Sequence, residues 1–484
     1  MSDLGAPIVV WFRQDLRLTD NPALRAAIDA KRPLILLYVL DEETPGRWRI
    51  GAASRWWLHH SLEALAADIK ERGGRLLLRR GPANVVLPKL IQQSGACALY
   101  WNRAYEPYVI KRDESLKQSF KAAGVEPKSF NGALLFEPWE VKTKAGEPYK
   151  VFTPFWRACL VRGRPRDPLP GVRKIEAFAG ELTSDRIGKW ALLPTKPNWA
   201  RGFGPEWTPG EAGARQALDL FVEERLQDYP DARNELGLAG TSRLSPHLHY
   251  GEISPAQIWA ALDAALAHRS ALQRGGDKFL AELGWREFSQ NLLFHWPSLP
   301  EANWRNQFDA FPWFDDEKAL QAWRRGRTGY PVVDAAMREL WATGYMHNRA
   351  RMIAASFLIK HLMIDWRRGE DWFWDTLVDA DLANNAASWQ WVAGSGADAA
   401  PFFRIFNPVT QGERYDADGA YVRRWVPELA KLPDRWLHKP WEAGAETLRA
   451  AGVQLGQDYP DPIVDHRAAR ERALEAFKSL PSAG

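Results

Sequence analysis

The chain has 484 residues, 46% of them hydrophobic and 26% charged, with a formal net charge of +4. That length exceeds what one core fills and predicts about two to three domains, while so small a net charge does not by itself point to nucleic acid. Cys97 and Cys159 form no CxxC pair, which argues against a disulfide framework or thiolate metal site and fits a reducing cytoplasm. The opening MSDLGAP lacks a basic region followed by an apolar one, so no secretory signal is expected. No uncharged apolar run approaches the roughly 18 to 20 residues of a bilayer span.

In chain order, Ile8 to Phe12 is a short apolar run followed by RQDLRLTDNPALRAAIDA, where Asp20 or Asn21 caps a helix with Pro22 in its first turn. Leu34 to Leu40 is fully apolar and β-like. RWWLHHSLEALAADIKERGG has a helical period, RLLLRRG reads as a strand, Pro88 to Ser94 as helix, and ACALYWN as a fourth strand. After a helix around 106 to 123, VEPKSF and ALLFEP are expected as edge pieces. Alternating strands and helices predict an α/β domain, a doubly wound (Rossmann-like) parallel sheet, over 5–130. No GxGxxG follows the first strand, so the usual dinucleotide mode is disfavoured there. Residues 131–205, rich in Pro, Gly and charge, read as a partly structured connector. From Gly210 the pattern is helical, which predicts an all-α domain over 206–475.

Chemistry concentrates between Thr328 and Gln411. On a helix, Asp381, Asn385 and Trp389 share one face, and so do Asn348, Arg351 and Met352. A plain core face would carry Leu, Ile and Val, so these faces predict a lined cavity. Arginine runs crowd around the same block, at Arg324, Arg325 and Arg327, Arg349 and Arg351, and Arg423 and Arg424, either as solvated faces or as a nucleic-acid surface. The 25 tryptophans exceed ordinary packing needs and raise electron transfer or base stacking. Upstream, AGTSRLS (residues 239–245) is an N-cap loop by its small and hydroxyl residues, and could also clasp a phosphate. Asp379 and Asp381 either cap and pair with arginine or bind a ribose. Glu282, Trp285 and Ser289 lie on one helix face, with the acid either at the surface or buried with a partner. His59–His60 and His247–His249 lack zinc-helix spacing, so no metal site is expected. No GxSxG, SxxK or P-loop appears.

These stretches (WFRQDLRLTDNPAL, AGTSRLS, ELGWREF, GRTGYPVVDAAMREL, YMHNRARM, DADLANN, SWQW, FFRIFNPVTQG) closely resemble the DNA photolyase and cryptochrome family, specifically class I-like bacterial cyclobutane pyrimidine dimer photolyases. The resemblance covers nearly the whole chain. It implies a light-dependent lyase that repairs UV-damaged DNA by electron transfer from excited reduced FAD (FADH⁻) to a flipped dimer. It implies flavin contacts at Tyr229, Thr241, Ser242, Arg243, Leu244, Ser245, Arg286, Arg351, Asp379, Asp381 and Asn385, the last facing the flavin N5. Damaged-DNA contacts are implied at Arg233, Glu282, Trp285, Ser289, Asn348, Arg349, Met352, Trp391 and Gln411. Trp389, Trp366 and Trp313 match an electron-hopping triad, and Glu282 would stabilise charge on a pyrimidine carbonyl.

An antenna chromophore is implied too, methenyltetrahydrofolate ahead of a deazaflavin, with Trp56, Trp57 and His59 either near it or in the core. A cytoplasmic monomer without membrane contact is expected. Two alternatives are a photoreceptor without repair activity and a (6-4) photolyase. (6-4) enzymes carry histidines where this chain has Asn348 and Met352, and plant cryptochromes usually carry Asp at the position of Asn385 and often a long C-terminal tail. Tyr345 departs from the Trp of many relatives.

Overall fold

Five apolar segments pair into one parallel sheet: β1 (Ile8–Phe12), β2 (Leu34–Leu40), β3 (Leu76–Arg80), β4 (Ala98–Asn102) and β5 (Glu126–Phe130), in the order β3-β2-β1-β4-β5. In this computed structural model the described residues are 5–164, 166–399 and 403–481; the first four residues of MSDLGAP and the leading Phe402 of FFRIF lie outside them. Ile8 pairs with Leu34 on one side and with Ala98 on the other. Every residue of β1 is buried, as near-continuous apolar strands covered on both faces require. The helices between the strands are α1 (Pro22–Asp29), α2 (Ala52–Glu71), α3 (Ala83–Ser94) and α4 (Pro107–Ala122). Asn21, not Asp20, caps α1 by accepting from the Leu24 N–H at 3.1 Å. α3 begins at Ala83 and carries Pro88 inside it.

Strand order reverses between β1 and β4, where such sheets ordinarily bind a nucleotide beyond the strand ends. Here the chain's own polar groups fill that position. Asn102 donates to Asp15 at 2.6 Å and to Asn21 at 2.8 Å, and Arg13 pairs with Asp113 at 2.8 Å.

One expectation needs correction. ALLFEP is no edge strand: the Leu135 and Phe136 N–H groups donate instead to the Glu287 carboxylate, at 2.8 and 3.3 Å. By packing, the chain divides into two compact units. One unit holds the described residues up to 198 with 207–227 and 242–297; the other holds 199–206, 228–241 and 298 onward. Buried polar contacts tie 242–297 to the sheet's unit. The Arg17 guanidinium donates to the Gly251 carbonyl at 2.8 Å, the Trp57 indole N–H to Glu252 at 3.0 Å, and the Tyr250 hydroxyl to the Ser54 carbonyl at 2.7 Å. Within the supposed connector stands a full helix, α5 (Phe152–Arg162).

The second unit is helical. Its main helices are Pro331–Thr343, Asn348–Ser356, Trp366–Thr376, Leu382–Ala393, Pro408–Tyr415 and His466–Lys478. They bury one cluster that includes Trp323, Tyr330, Met337, Ile353, Phe357, Trp366, Phe373 and Trp389. Asp334 of GRTGYPVVD is structural: its carboxylate accepts from the Thr328 and Gly329 N–H groups and from the Tyr459 hydroxyl. It ties the turn before its own helix to a distant segment.

Candidate active site

The Asn348–Ser356 helix starts under an unusual cap, His347, whose Nδ1 accepts from the Arg349 backbone N–H at 3.1 Å. His347 is buried, and its own backbone N–H donates to Glu339 at 3.2 Å. Burial first, then the charges of Arg349, Arg351 and Arg233, push its imidazole down to about 4. It is therefore neutral at ordinary pH, as an accepting Nδ1 requires.

Behind that cap the Arg351 Nε donates to the Met346 carbonyl at 2.8 Å, and its NH2 donates to both Asp379 oxygens at 3.0 and 2.8 Å. Its guanidinium also lies 5.2 Å from the Tyr345 ring, so the Tyr at this position is occupied in holding the arginine. Asp381 caps the Leu382–Ala393 helix, accepting from the Asn384 N–H at 2.9 Å. Asn385 is buried, and its Nδ2 donates to the Glu370 carbonyl at 3.1 Å. Trp389, one turn on, is enclosed. Phe373 lies 4.9 Å and Trp323 6.3 Å from it, ring centre to ring centre. A Cβ on Gly369 would run into the Trp389 ring, so only glycine lets the two helices approach this closely. Trp366 is fully buried and donates to Asn303 at 2.9 Å, and half-buried Trp313 packs against the same cluster. Trp391, two residues past Trp389 and so on the opposite helix face, is half-buried at the cluster's edge.

Asn348 is exposed, and Arg349 and Met352 are half-buried. Arg349 donates to the Asn234 side-chain oxygen at 2.7 Å and lies 4.4 Å from the Tyr415 ring. Its pKa is lowered by burial and by Arg233, Arg414 and Arg404, with Tyr415 opposing. Arg233 lies 5.5 Å from the ring of buried Tyr229. Gln411 is half-buried on the Pro408–Tyr415 helix, and Thr241 is half-buried at the end of the 228–241 segment.

In the first unit the 239–245 loop departs from expectation. No hydroxyl caps the short Ser245–His249 helix; buried Leu244 stands at that position, and Ser242 Oγ accepts from the Leu244 N–H at 3.4 Å. Arg243 takes a left-handed φ of 55° and places its guanidinium 4.1 Å from the Trp207 ring. On the Gln273–His295 helix, Glu282 is paired with Lys278 at 3.1 Å, and Ser289 Oγ donates to the Trp285 carbonyl at 3.0 Å. Trp285 lies flat against Phe152, 3.8 Å between centres and 9° between planes. Arg286 donates to the Ala133 carbonyl at 2.9 Å and pairs with Glu287 at 3.2 Å. Burial pushes the Glu287 carboxyl up to about 7.

Among the described residues, His59, His60 and Glu63 on α2 bring ligand-type atoms within 4.8 Å of one another. The histidine pair has no zinc-helix spacing of its own; the i, i+4 partner is Glu63, 3.2 Å from His59. Trp57 belongs to the core: it is fully buried and lies parallel to Tyr250.

Sequence reasoning missed Phe152, Asn234, His347 and Tyr415. His347 alone left a signal, standing directly before a helical period that has no hydroxyl or acid to cap it.

Residues 8–173 match the family described as DNA photolyase, and residues 279–479 match the FAD binding domain of DNA photolyase. A deoxyribodipyrimidine photo-lyase from Agrobacterium fabrum is 52% identical over 99% of this chain and 99% of its own length. The chain belongs to the DNA photolyase family. Cryptochrome-1 of Arabidopsis thaliana is 40% identical, over 98% of this chain and 71% of its own length. The crystal structure of a bacterial class III photolyase from Agrobacterium tumefaciens superposes with a TM-score of 0.95 at 52% identity, covering 98% of this chain and 97% of that one.

The photolyase is thus an enzyme, a deoxyribodipyrimidine photo-lyase that uses FAD, with the sheet-plus-helical architecture of its relatives. Family membership implies binding of damaged DNA. The similarity to a class III structure does not support the class I-like subtype expected from the motifs. No helix among the described residues is long and apolar enough to cross a membrane.

Proposed function

We propose that this photolyase splits cyclobutane pyrimidine dimers in UV-damaged DNA, and that it is of class III. The observation that carries the lesion assignment is the head of the Asn348–Ser356 helix, where an amide and a thioether stand in place of the histidines of (6-4) enzymes. Asn385, rather than the Asp usual in plant cryptochromes, favours repair over signalling.

The donor set fits FAD. Hydroxyls and backbone at Thr241, Ser242, Leu244 and Ser245, with Arg243, suit a diphosphate, and Tyr229 and Arg286 complete the contacts on this reading. In the helical unit Asp379 holds Arg351, the further pair of contacts on this reading. Asp381 offers a carboxylate to a ribose or ring N–H. Asn385 has its Nδ2 occupied by the Glu370 carbonyl, so its Oδ1 is the atom directed to accept from the flavin. When bound in its reduced, photoexcited form, the cofactor supplies one electron that the dimer returns after its bonds break.

The protein's residues bind, orient and shield. Trp285 and Trp391 each offer the flipped dimer an apolar face, since a poorly stacked lesion costs only a few kcal/mol to extrude. Glu282 stabilises charge on a pyrimidine carbonyl once it has left Lys278 and carries a proton to donate, since an ionised carboxylate only accepts. Ser289, Asn348, Met352 and Gln411 contact the lesion strand. Arg349 is held by neutral partners, Asn234 and Tyr415, so its charge is directed to phosphate, and Arg233 joins it there. Trp389, Trp366 and Trp313 form the path for reducing oxidised flavin. A folate antenna, a cytoplasmic location and a monomeric state complete the proposal.

The test is illumination of prereduced protein with two oligonucleotides, one carrying a cyclobutane dimer and one a (6-4) product. The dimer alone is expected to revert. Reversal of only the (6-4) product would overturn the lesion assignment. Reversal of neither, with flavin bound, would favour a photoreceptor, the alternative that the 40% identity to a plant cryptochrome raises.

A further inference from the structure

The segment 131–205 reads as a connector, yet α5 within it is packed on the Gln273–His295 helix at the point where the lesion wall stands. Three contacts fix that packing. A Cβ on Gly284 would lie 2.5 Å from the Trp156 ring, so the glycine admits the indole directly onto the helix backbone. Phe155 lies 5.3 Å from Phe288, ring centre to ring centre. One turn before Trp156, Phe152 lies flat on Trp285 at 3.8 Å, while Phe288 meets the same indole nearly edge-on, at 5.9 Å and 76°. Gly284 and Trp285 are sequence neighbours, so the contact that seats α5 also sets Phe152 over Trp285.

An indole has two faces. Phe152 covers one, which leaves the opposite face of half-buried Trp285 as the one a flat ligand would stack against. An unsupported half-buried Trp side chain would sample several rotamers, and ordering it on binding would weaken affinity. A stacked aromatic neighbour supplies that order beforehand.

We propose that Phe152 is a positioning residue for lesion recognition: seated by Trp156 on Gly284, it backs Trp285 and holds its free face ready for the dimer. This rests on the assignment of Trp285 as a lesion wall. The test compares affinities for dimer-containing and undamaged duplexes in the full-length, FAD-loaded wild type and in Phe152→Leu, Phe152→Tyr, Trp285→Leu and the Phe152→Leu/Trp285→Leu double variant.

Phe152→Leu keeps bulk but loses the flat ring, and is expected to lower the damaged-to-undamaged affinity ratio about 3- to 10-fold. Phe152→Tyr should restore it to within about twofold. The double variant should fall no further than Trp285→Leu alone, because the Phe152 effect passes through Trp285. FAD content and thermal midpoint serve to show that Phe152→Leu is folded; if it is not, Phe152→Met, which also lacks a ring, takes its place with the same expected loss. Losses that add in the double variant, an unchanged ratio in Phe152→Leu, or a raised ratio would each overturn the proposal. A raised ratio would mean the Phe152 ring occupies the lesion's own face. If the wild type binds both duplexes alike, the repair assignment falls and this inference with it; if the wild type discriminates and Phe152→Leu does so equally, only this inference falls.

Discussion

Two tryptophans of the photolyase sit in opposite surroundings. Trp389, in the helical unit, is enclosed by Phe373, Trp323 and the bare backbone of Gly369. Trp285, in the unit with the sheet, is half-buried and supported on one face by Phe152. An enclosed indole is fixed and shielded from water, which suits passing an electron. A half-buried indole backed on one face suits stacking a base against the other. The residue type is the same; the neighbours divide the roles.

The sharpest break of this comparison is Trp389→Phe. Photoreduction of oxidised flavin should be nearly abolished, while repair by prereduced enzyme stays close to wild type. Steady illumination with a reductant, followed by absorption of the flavin, measures the first; dimer reversal measures the second. Equal loss of both would make Trp389 a packing residue only.

A smaller effect separates the apolar wall from the polar helix head. Arg349→Gln removes one phosphate contact, so the slope of log affinity against log salt should fall by about one, with weaker binding to all sequences. Trp285→Leu should leave that slope unchanged. Titrations of DNA binding at several salt concentrations check both, and an unchanged slope in Arg349→Gln would remove that residue from the phosphate contacts.

The smallest effect concerns the cap. His347 has an ordinary value of 6.5 and is pushed down to about 4 in the folded chain. Above 6.5 both states are neutral there and the cap's stability is fully present. As pH falls from 6.5 toward 4, the unfolded chain takes up a proton that the folded one refuses, so stability declines, by roughly 3 kcal/mol at most. His361, pushed down to about 3 by burial, His466 and Lys360, acts in the same direction. His347→Asn keeps an accepting cap without the titration and should flatten, not erase, the decline in urea midpoint between pH 6.5 and 4. A decline as steep as wild type would contradict the capping account.

Much of the fold was legible because its signals are local. IVVWF, LILLYVL and ACALYWN are apolar runs that only a doubly covered sheet accommodates, and NPALRAAID announces its own cap. The face shared by Asp381, Asn385 and Trp389 follows from helix geometry alone. What failed depends on partners far away in sequence. ALLFEP has strand composition, but its N–H groups go to Glu287. The hydroxyls of AGTSRLS promise a cap that Leu244 displaces. Phe152 lay in a Pro- and Gly-rich stretch where no periodicity marks it.

The central claim is that light drives the splitting through reduced flavin. The direct measurement counts dimers reverted per photon absorbed, using prereduced enzyme, with dark and oxidised-flavin controls. Reversal only in light and only with prereduced enzyme is predicted. Reversal in the dark, or equal reversal with oxidised flavin kept from photoreduction by Trp389→Phe, would contradict the account.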